Sequence, residues 1–291
     1  ILIKKTPAKI NLTLDVTGKL ENGYHTLSMI MQSIDVCDEL SFEKTADETI
    51  LFSMNKDLPD KIPAEKNLVY KAAKLLQDEF AIKDGVHVWL HKYIPVAAGM
   101  AGGSTDAAAV LYGMNQIFDL GLTREELMER GVKIGADVPY CIMRGTALAE
   151  GIGEKLSKLP PMVKCPVLIA KPQISVSTKF VYENLKLGSD MVHPDIDRLV
   201  ADIREKDLYK IAADMGNVLE TVTIPAYPVI ADIKDHMMEH GAVNAMMSGS
   251  GPTVFGLFDK EATAVEAYEA MKASGLAKQV YLTSIYNNAR K

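Results

Sequence analysis

Apolar and polar positions alternate in AKINLTLDVTG, residues 8–18, and β-branched and apolar residues dominate LSMIMQSIDV, 27–36, and ELSFEK, 39–44. Such segments predict an antiparallel sheet, because a two-residue period turns one face of each strand into a core. ENGYH, Glu21 to His25, predicts the turn between the first two. From Asn67 to Phe80 the period lengthens, and Leu68, Ala72, Leu75, Leu76 and Phe80 share one helical stripe. GVHVWLHKYIP then returns to a strand ending at Pro95. A run of small residues and glycines follows, IPVAAGMAGGSTDAAAV from Ile94 to Val110, and Asp106 to Phe118 is rich in helix formers. Ser104 or Thr105 is the expected N-cap of that helix, with Asp106 in its first turn. The order is strand, Gly-rich loop, helix.

Thr123 with Glu126 three residues on predicts a capping box and a second helix that turns Leu127 and Met128 inward and ends near IGADVPY. Pro160 and Pro161, in KLSKLPPMVKCP, then read as a linker before the strand PVLIAKP. The expected domains are residues 1–159 and 160–291. In the second, amphipathic helices are predicted over 196–203, 208–219 and 229–240, the last stopped by Gly241. Strands AVNAMMSGSG and TVFGLF, a helix over 261–272 and a final strand QVYLTSI complete an α+β domain.

Composition narrows the function classes. Acidic residues (38) outnumber basic ones (32), giving a formal charge of −6 without a basic cluster, which argues against nucleic acid or anionic lipid as a partner. No apolar run is long enough to cross a bilayer and the first residues do not resemble a signal peptide, so a cytoplasmic location is expected. Cys37, Cys141 and Cys165 lie far apart and lack the spacing of a zinc site, so they are expected as free, partly buried thiols.

The Gly-rich run carries the clearest chemistry. Glycines let successive backbone N–H groups point into one concavity, and a helix N-terminus behind them adds unpaired donors and partial positive charge, which together suit a phosphate. Ala97, Gly99, Ala101, Gly102 and Gly103 leave the backbone open, while Ser104 and Thr105 offer hydroxyls to a phosphate or a metal ion. The lysine of a Walker A loop is absent and the spacing is not G-x-G-x-x-G. A tight strand-to-helix turn with no ligand is the plain alternative. Lys9 faces inward on a largely apolar strand, where a lone ammonium is costly unless paired. Asp137, in GADVPY, read alone is a loop aspartate bonded to its own backbone.

The run resembles the phosphate loop of the GHMP kinases, whose pattern is close to P-x-x-x-G-L-G-[GS]-S-[ST]. TPAKINLTLDVTGKLENGYHTL and MSGSGPTVFGLF, residues 247–258, resemble that superfamily's first and third motifs, in the right order. PAKINL, GYH followed by M.QSI, and GADVPYC resemble the branch whose acceptor is a cytidine-diphosphate-linked methylerythritol. The resemblance implies a two-domain α+β GHMP kinase fold, the N-terminal domain like ribosomal protein S5 domain 2 and the C-terminal one ferredoxin-like. It implies ATP and Mg²⁺ as cofactors, a small-molecule acceptor and a cytoplasmic monomer or homodimer; the metal ligands stay unassigned. Residue by residue, it places ATP on Pro95, Ala97, Ala98, Gly99, Met100, Ala101, Gly102, Gly103, Ser104 and Thr105, with adenine near Asn67 and Leu68. Asp137 becomes the catalytic base, and Lys9 the partner that orients it or stabilises the developing alkoxide. Asn11, Tyr24, His25, Tyr182, Gly249 and Ser250 fall to the acceptor. Met100 stands where the family usually has Leu, Ala101 where Gly is common and Thr105 where Ser is common. Alanine at positive φ would cost on the order of 1 kcal/mol, so Ala101 is expected at negative φ.

Two other readings are weighed against this one. A superfamily kinase acting on mevalonate, homoserine or a sugar would have no cytosine to use GYH. A nucleotide-sensing protein without catalysis would have no need to keep both Lys9 and Asp137.

Overall fold

The computed structural model describes residues 1–55 and 66–287. The chain opens with β1 (Leu2–Lys19), β2 (His25–Thr45), β3 (Ile50–Met54), α1 (Leu68–Glu79), β4 (Gly85–His91) and α2 (Gly102–Ile117). It continues with α3 (Arg124–Val132), α4 (Val138–Met143), β5 (Thr146–Gly151), β6 (Lys155–Lys158), β7 (Pro166–Lys171) and α5 (Thr178–Asn184). Then come α6 (Ile196–Glu205), α7 (Leu208–Asp214), β8 (Gly216–Asn217), α8 (Glu220–Ala226) and α9 (Val229–Glu239). β9 (Asn244–Met247), β10 (Val254–Leu257), α10 (Glu261–Ser274) and β11 (Gln279–Ser284) complete it. No helix among the described residues is long and apolar enough to cross a membrane.

Contacts gather the chain into two compact units that interleave along the sequence. Ile1–Ala8, Val36–Val96 and Ala101–Met143 form the first; Lys9–Asp35, Ala97–Met100 and Arg144–Lys291 form the second.

In the first unit β3 pairs parallel with β4, and β4 pairs antiparallel with Glu39–Thr45 of β2. The two-residue period sets this register: Val86, Val88 and Leu90 of β4 are buried, and so are Leu40 and Phe42 opposite them. Gly113 lets α2 approach the Phe42 ring, because a Cβ there would stand 2.5 Å from it. α3 opens on the expected capping box, with Glu126 N–H donating to Thr123 Oγ1 and Thr123 N–H to the Glu126 carboxylate at 2.8 Å.

In the second unit β5 pairs antiparallel with Leu27–Gln32 of β2, and β8 pairs parallel with Thr13 and Leu14 of β1. A separate sheet runs β11-β7-β10-β9, antiparallel throughout, with α9 against β9 and β10 and α10 against β7 and β11. It is built from the runs expected as strands. Its core is Val167, Leu168, Ile169, Phe255 and Leu257.

Several boundaries move. The two strands expected over 27–36 and 39–44 are one strand of 21 residues, since the intervening Cys37 and Asp38 do not interrupt the ladder. α7 stops at Asp214, because Gly216 and Asn217 leave the helix to pair with β1. VPYCIM, where only a helix end was expected, forms α4; Pro139 is tolerated in a first turn.

Candidate active site

The Gly-rich loop leaves β4 through three backbone amides that side chains hold. Lys92 N–H donates to Asn55 Oδ1 at 2.8 Å, and the N–H groups of Tyr93 and Ile94 donate to Asp38 Oδ1 at 2.6 and 2.8 Å. Beyond them the situation reverses. From Ala97 to Ser104 no backbone N–H finds an acceptor among the described residues. Ala97, Gly99 and Ala101 have φ of +50°, +73° and +56°, while Ala98 and Met100 between them do not. Alternation of hand along consecutive residues turns amides into a concavity suited to an anion. Buried Ala98 and Met100 anchor the loop from beneath.

Ala101 corrects the expectation of negative φ: it is left-handed and is the N-cap residue of α2, without a side-chain cap bond. Ala97 and Ala101 each carry about 1 kcal/mol of strain relative to glycine, a cost found where surrounding structure over-determines a functional loop. Thr105 is also corrected. It is neither N-cap nor a free hydroxyl: it is fully buried, its Oγ1 donates to Pro7 O at 2.8 Å and its N–H to Ala101 O. Ser104 likewise lies inside α2, past the cap position, but is half-buried and its hydroxyl has no hydrogen bond among the described residues. Asp106 faces the interior rather than the loop, and its partners are Lys92 and, through Lys92, Asp38.

Gly99 is where only glycine fits. A Cβ would stand 2.2 Å from the Ser248 carbonyl oxygen. The Gly99 carbonyl accepts from Lys9 Nζ at 2.9 Å and from Ser248 Oγ at 3.0 Å. Lys9 is 5% exposed and also donates to Asn11 Oδ1 at 2.7 Å; Asn11, fully buried, donates on to Met29 Sδ. The inward ammonium is thus paired, as its burial requires. The turn between β9 and β10 is fixed by Asn217, whose Nδ2 donates to the carbonyls of Met247 and Gly249. Ser250 Oγ shares a hydrogen bond of 2.8 Å with Thr178 Oγ1 at the head of α5. Within the second unit the fold therefore gathers Lys9, Asn11, Gly99, Ser248 and Gly249.

α5 also carries Tyr182, whose ring lies 5.2 Å from that of His25, tilted 35°. Burial first and the charge of Lys19 second hold the His25 pKa below 6.5, so the neutral ring offers one donor and one acceptor. Tyr24 stands on the β1–β2 turn, 62% exposed. In the first unit Asn67 caps α1, accepting from Val69 N–H at 2.9 Å, and Leu68 Cδ1 lies 3.6 Å from where a Cβ on Gly103 would be. Asp137 is half-buried immediately ahead of α4. Its carbonyl accepts from Cys141 N–H, but its carboxylate has no hydrogen bond among the described residues, unlike an ordinary turn aspartate.

Ser248, Asn217 and the Asp38–Lys92–Asp106 cluster are additions to the residues the sequence suggested. Ser248 was within reach, since it sits in the quoted MSGSG. Asp38 and Asn217 act at long range and leave no local pattern.

Two family models match this chain, GHMP kinases N terminal domain over residues 67–145 and GHMP kinases C terminal over 199–277. The loop and the fold are those of a GHMP kinase. A 4-diphosphocytidyl-2-C-methyl-D-erythritol kinase of Lachnospira eligens is 53% identical, covering 97% of each chain, and one of Caldicellulosiruptor saccharolyticus is 46% identical over 99% of this chain and 98% of that one. A crystal structure of 4-(cytidine 5'-diphospho)-2C-methyl-D-erythritol kinase superposes with a TM-score of 0.84 at 27% identity, covering 99% of this chain and all of the other. The mevalonate kinase of L. major shares the fold, with a TM-score of 0.77 at 14% identity. The chain belongs to the 4-diphosphocytidyl-2-C-methyl-D-erythritol kinase family.

Proposed function

We propose that this protein transfers the γ-phosphoryl group of ATP to the 2-hydroxyl of 4-diphosphocytidyl-2-C-methyl-D-erythritol, in the non-mevalonate route to isoprenoid precursors. The observation that carries the reading is a row of acceptor-free amides, Ala97 to Ser104, in a chain 53% identical from end to end to a kinase of that name. Phosphoryl transfer needs little covalent chemistry from a protein; it needs an anion cradle, charge neutralisation and a group to take the acceptor's proton.

The ATP phosphates lie on the loop from Ala97 to Ser104, and adenine by Asn67 and Leu68. Asp137 accepts the proton of the 2-hydroxyl as its oxygen bonds to the γ-phosphorus and the bond to the β,γ-bridging oxygen breaks, releasing ADP and the 2-phosphate. Lys9, held by Asn11 and the Gly99 carbonyl, steadies the developing negative charge at the methylerythritol end. His25 reads the cytosine edge while Tyr182, with Tyr24, supplies aromatic faces. Ser250 and Gly249 complete the acceptor's surroundings. The half-buried hydroxyl of Ser104 fits the hard, oxygen-seeking Mg²⁺ and would hold it beside the ATP phosphates. Mg²⁺ brings charge neutralisation on the phosphates. Residues 1–159 and 160–291 are proposed as the two domains; the family matches fall one on each side of that boundary.

The test is ADP release with Mg-ATP and the cytidylated acceptor beside mevalonate, homoserine and galactose. Turnover with the cytidylated acceptor alone supports the reading. Turnover with another acceptor keeps the phosphate cradle and removes the role of His25 and Tyr182. ATP binding without turnover on any of them leaves a nucleotide-binding protein.

A further inference from the structure

Behind the phosphate loop, within the first unit, lies a buried cluster of three charges that phosphoryl transfer itself does not call on. Lys92 Nζ donates to Asp38 Oδ2 at 2.5 Å and to Asp106 Oδ2 at 2.6 Å. Lys92 is 5% exposed, Asp106 2% and Asp38 not at all. Asp106 Oδ1 is buried with no hydrogen-bond partner. Burying two carboxylates on one ammonium is costly, and an apolar trio of the same bulk would serve packing as well or better. The arrangement therefore calls for a reason beyond cohesion.

Its position supplies one. Asp38 holds Tyr93 and Ile94, the last residues before Pro95, while Asp106 sits on α2 just past the loop's far end. Lys92 joins the two carboxylates, so the cluster ties the strand end that enters the loop to the helix that leaves it. The ammonium also lies 3.0 Å from where a Cβ on Gly102 would be, so the first residue of α2 must be small for the clasp to close. We propose that Asp38, Lys92 and Asp106 are positioning residues whose ion pairs fix the span of the phosphate loop and thereby set its affinity for ATP. The inference rests on the loop being the ATP phosphate site. Burial, and then the neighbouring Asp38 against the pull of Lys92, leaves the Asp106 carboxyl well above its ordinary pKa, which fits the strain of two carboxylates on one ammonium.

The experiment titrates wild type, Asp106→Ala and Asp106→Asn with Mg²⁺ and a non-hydrolysable ATP analogue, beside the KM values for ATP and for the acceptor. Asp106→Ala is expected to weaken the analogue and raise KM for ATP about tenfold with an unchanged acceptor KM. Asp106→Asn, whose amide oxygen still accepts from Lys92, is expected to recover most of that loss. Folded Asp106→Ala with wild-type affinity for the analogue overturns the clasp. If Asp106→Ala does not fold, Lys92→Met with Asp106→Leu and Asp38→Asn is read in the same way, since it leaves no buried charge in the cluster while Asn at 38 still accepts from the Tyr93 and Ile94 amides. Wild type that fails to bind the analogue overturns the loop assignment itself, which separates the two failures.

Discussion

The loop proposed for the ATP phosphates and the surface proposed for the acceptor are built by opposite means. The loop is over-determined: Gly99 is pinned by Lys9 and Ser248, side chains hold the three amides before Pro95, and two alanines are kept left-handed against their preference. The residues proposed for the acceptor are lightly held. Tyr24 is mostly exposed on a turn, and His25 meets Tyr182 of a seven-residue helix through a tilted ring contact. Chemistry shared by every member of a kinase class rewards a fixed cradle, since preorganised donors lose nothing to reorganisation at the moment of transfer. On the proposed assignment, discrimination between acceptors falls to faces that a ligand completes.

The sharpest break of this contrast is Asp137→Asn, which removes the proposed proton acceptor and leaves both regions standing. A fall in kcat of about 10²- to 10⁴-fold is expected in single-turnover assays, with both KM values nearly unchanged. Next in size, Gly99→Ala drives a methyl into the Ser248 carbonyl; overpacking of about 1–3 kcal/mol is expected to appear as a raised KM for ATP and a lower Tm. On the loosely held side, Tyr182→Ala should raise the acceptor KM by up to about tenfold and leave that for ATP alone, in line with the worth of an aromatic pair. Because the His25 pKa is lowered, by burial first and then by the charge of Lys19, acidification should raise the acceptor KM only at a lower pH than an ordinary histidine would, as the ring gains its second proton. The smallest effect is a gain: Ala101→Gly relieves a left-handed alanine and should add up to about 1 kcal/mol in denaturant unfolding. No gain there would mean that the loop carries no strain worth relieving.

Much of this was legible in the chain because it is local. The strand, Gly-rich loop and helix order follows from periodicity and from glycines at 99, 102 and 103, and the capping box of α3 from Thr123 and Glu126. Even so, Ala101 takes the sign of φ opposite to the one its intrinsic preference predicts, and Thr105, drawn away to Pro7, does not cap the helix. Asp38 illustrates the other limit. Nothing near it in sequence marks it, yet it fixes two amides more than fifty positions away. Asn217 holds the Gly249 turn across 32 positions. Such contacts come from tertiary closure, to which hydrophobic pattern and capping rules are blind.

The most direct measurement is ³¹P NMR of wild type incubated with Mg-ATP and 4-diphosphocytidyl-2-C-methyl-D-erythritol. A new monoester phosphate resonance on the acceptor, growing in step with ADP while the acceptor's own diphosphate signals persist, is the predicted result. ADP accompanied only by inorganic phosphate, or an unchanged acceptor spectrum, would contradict the assignment of this chain's acceptor.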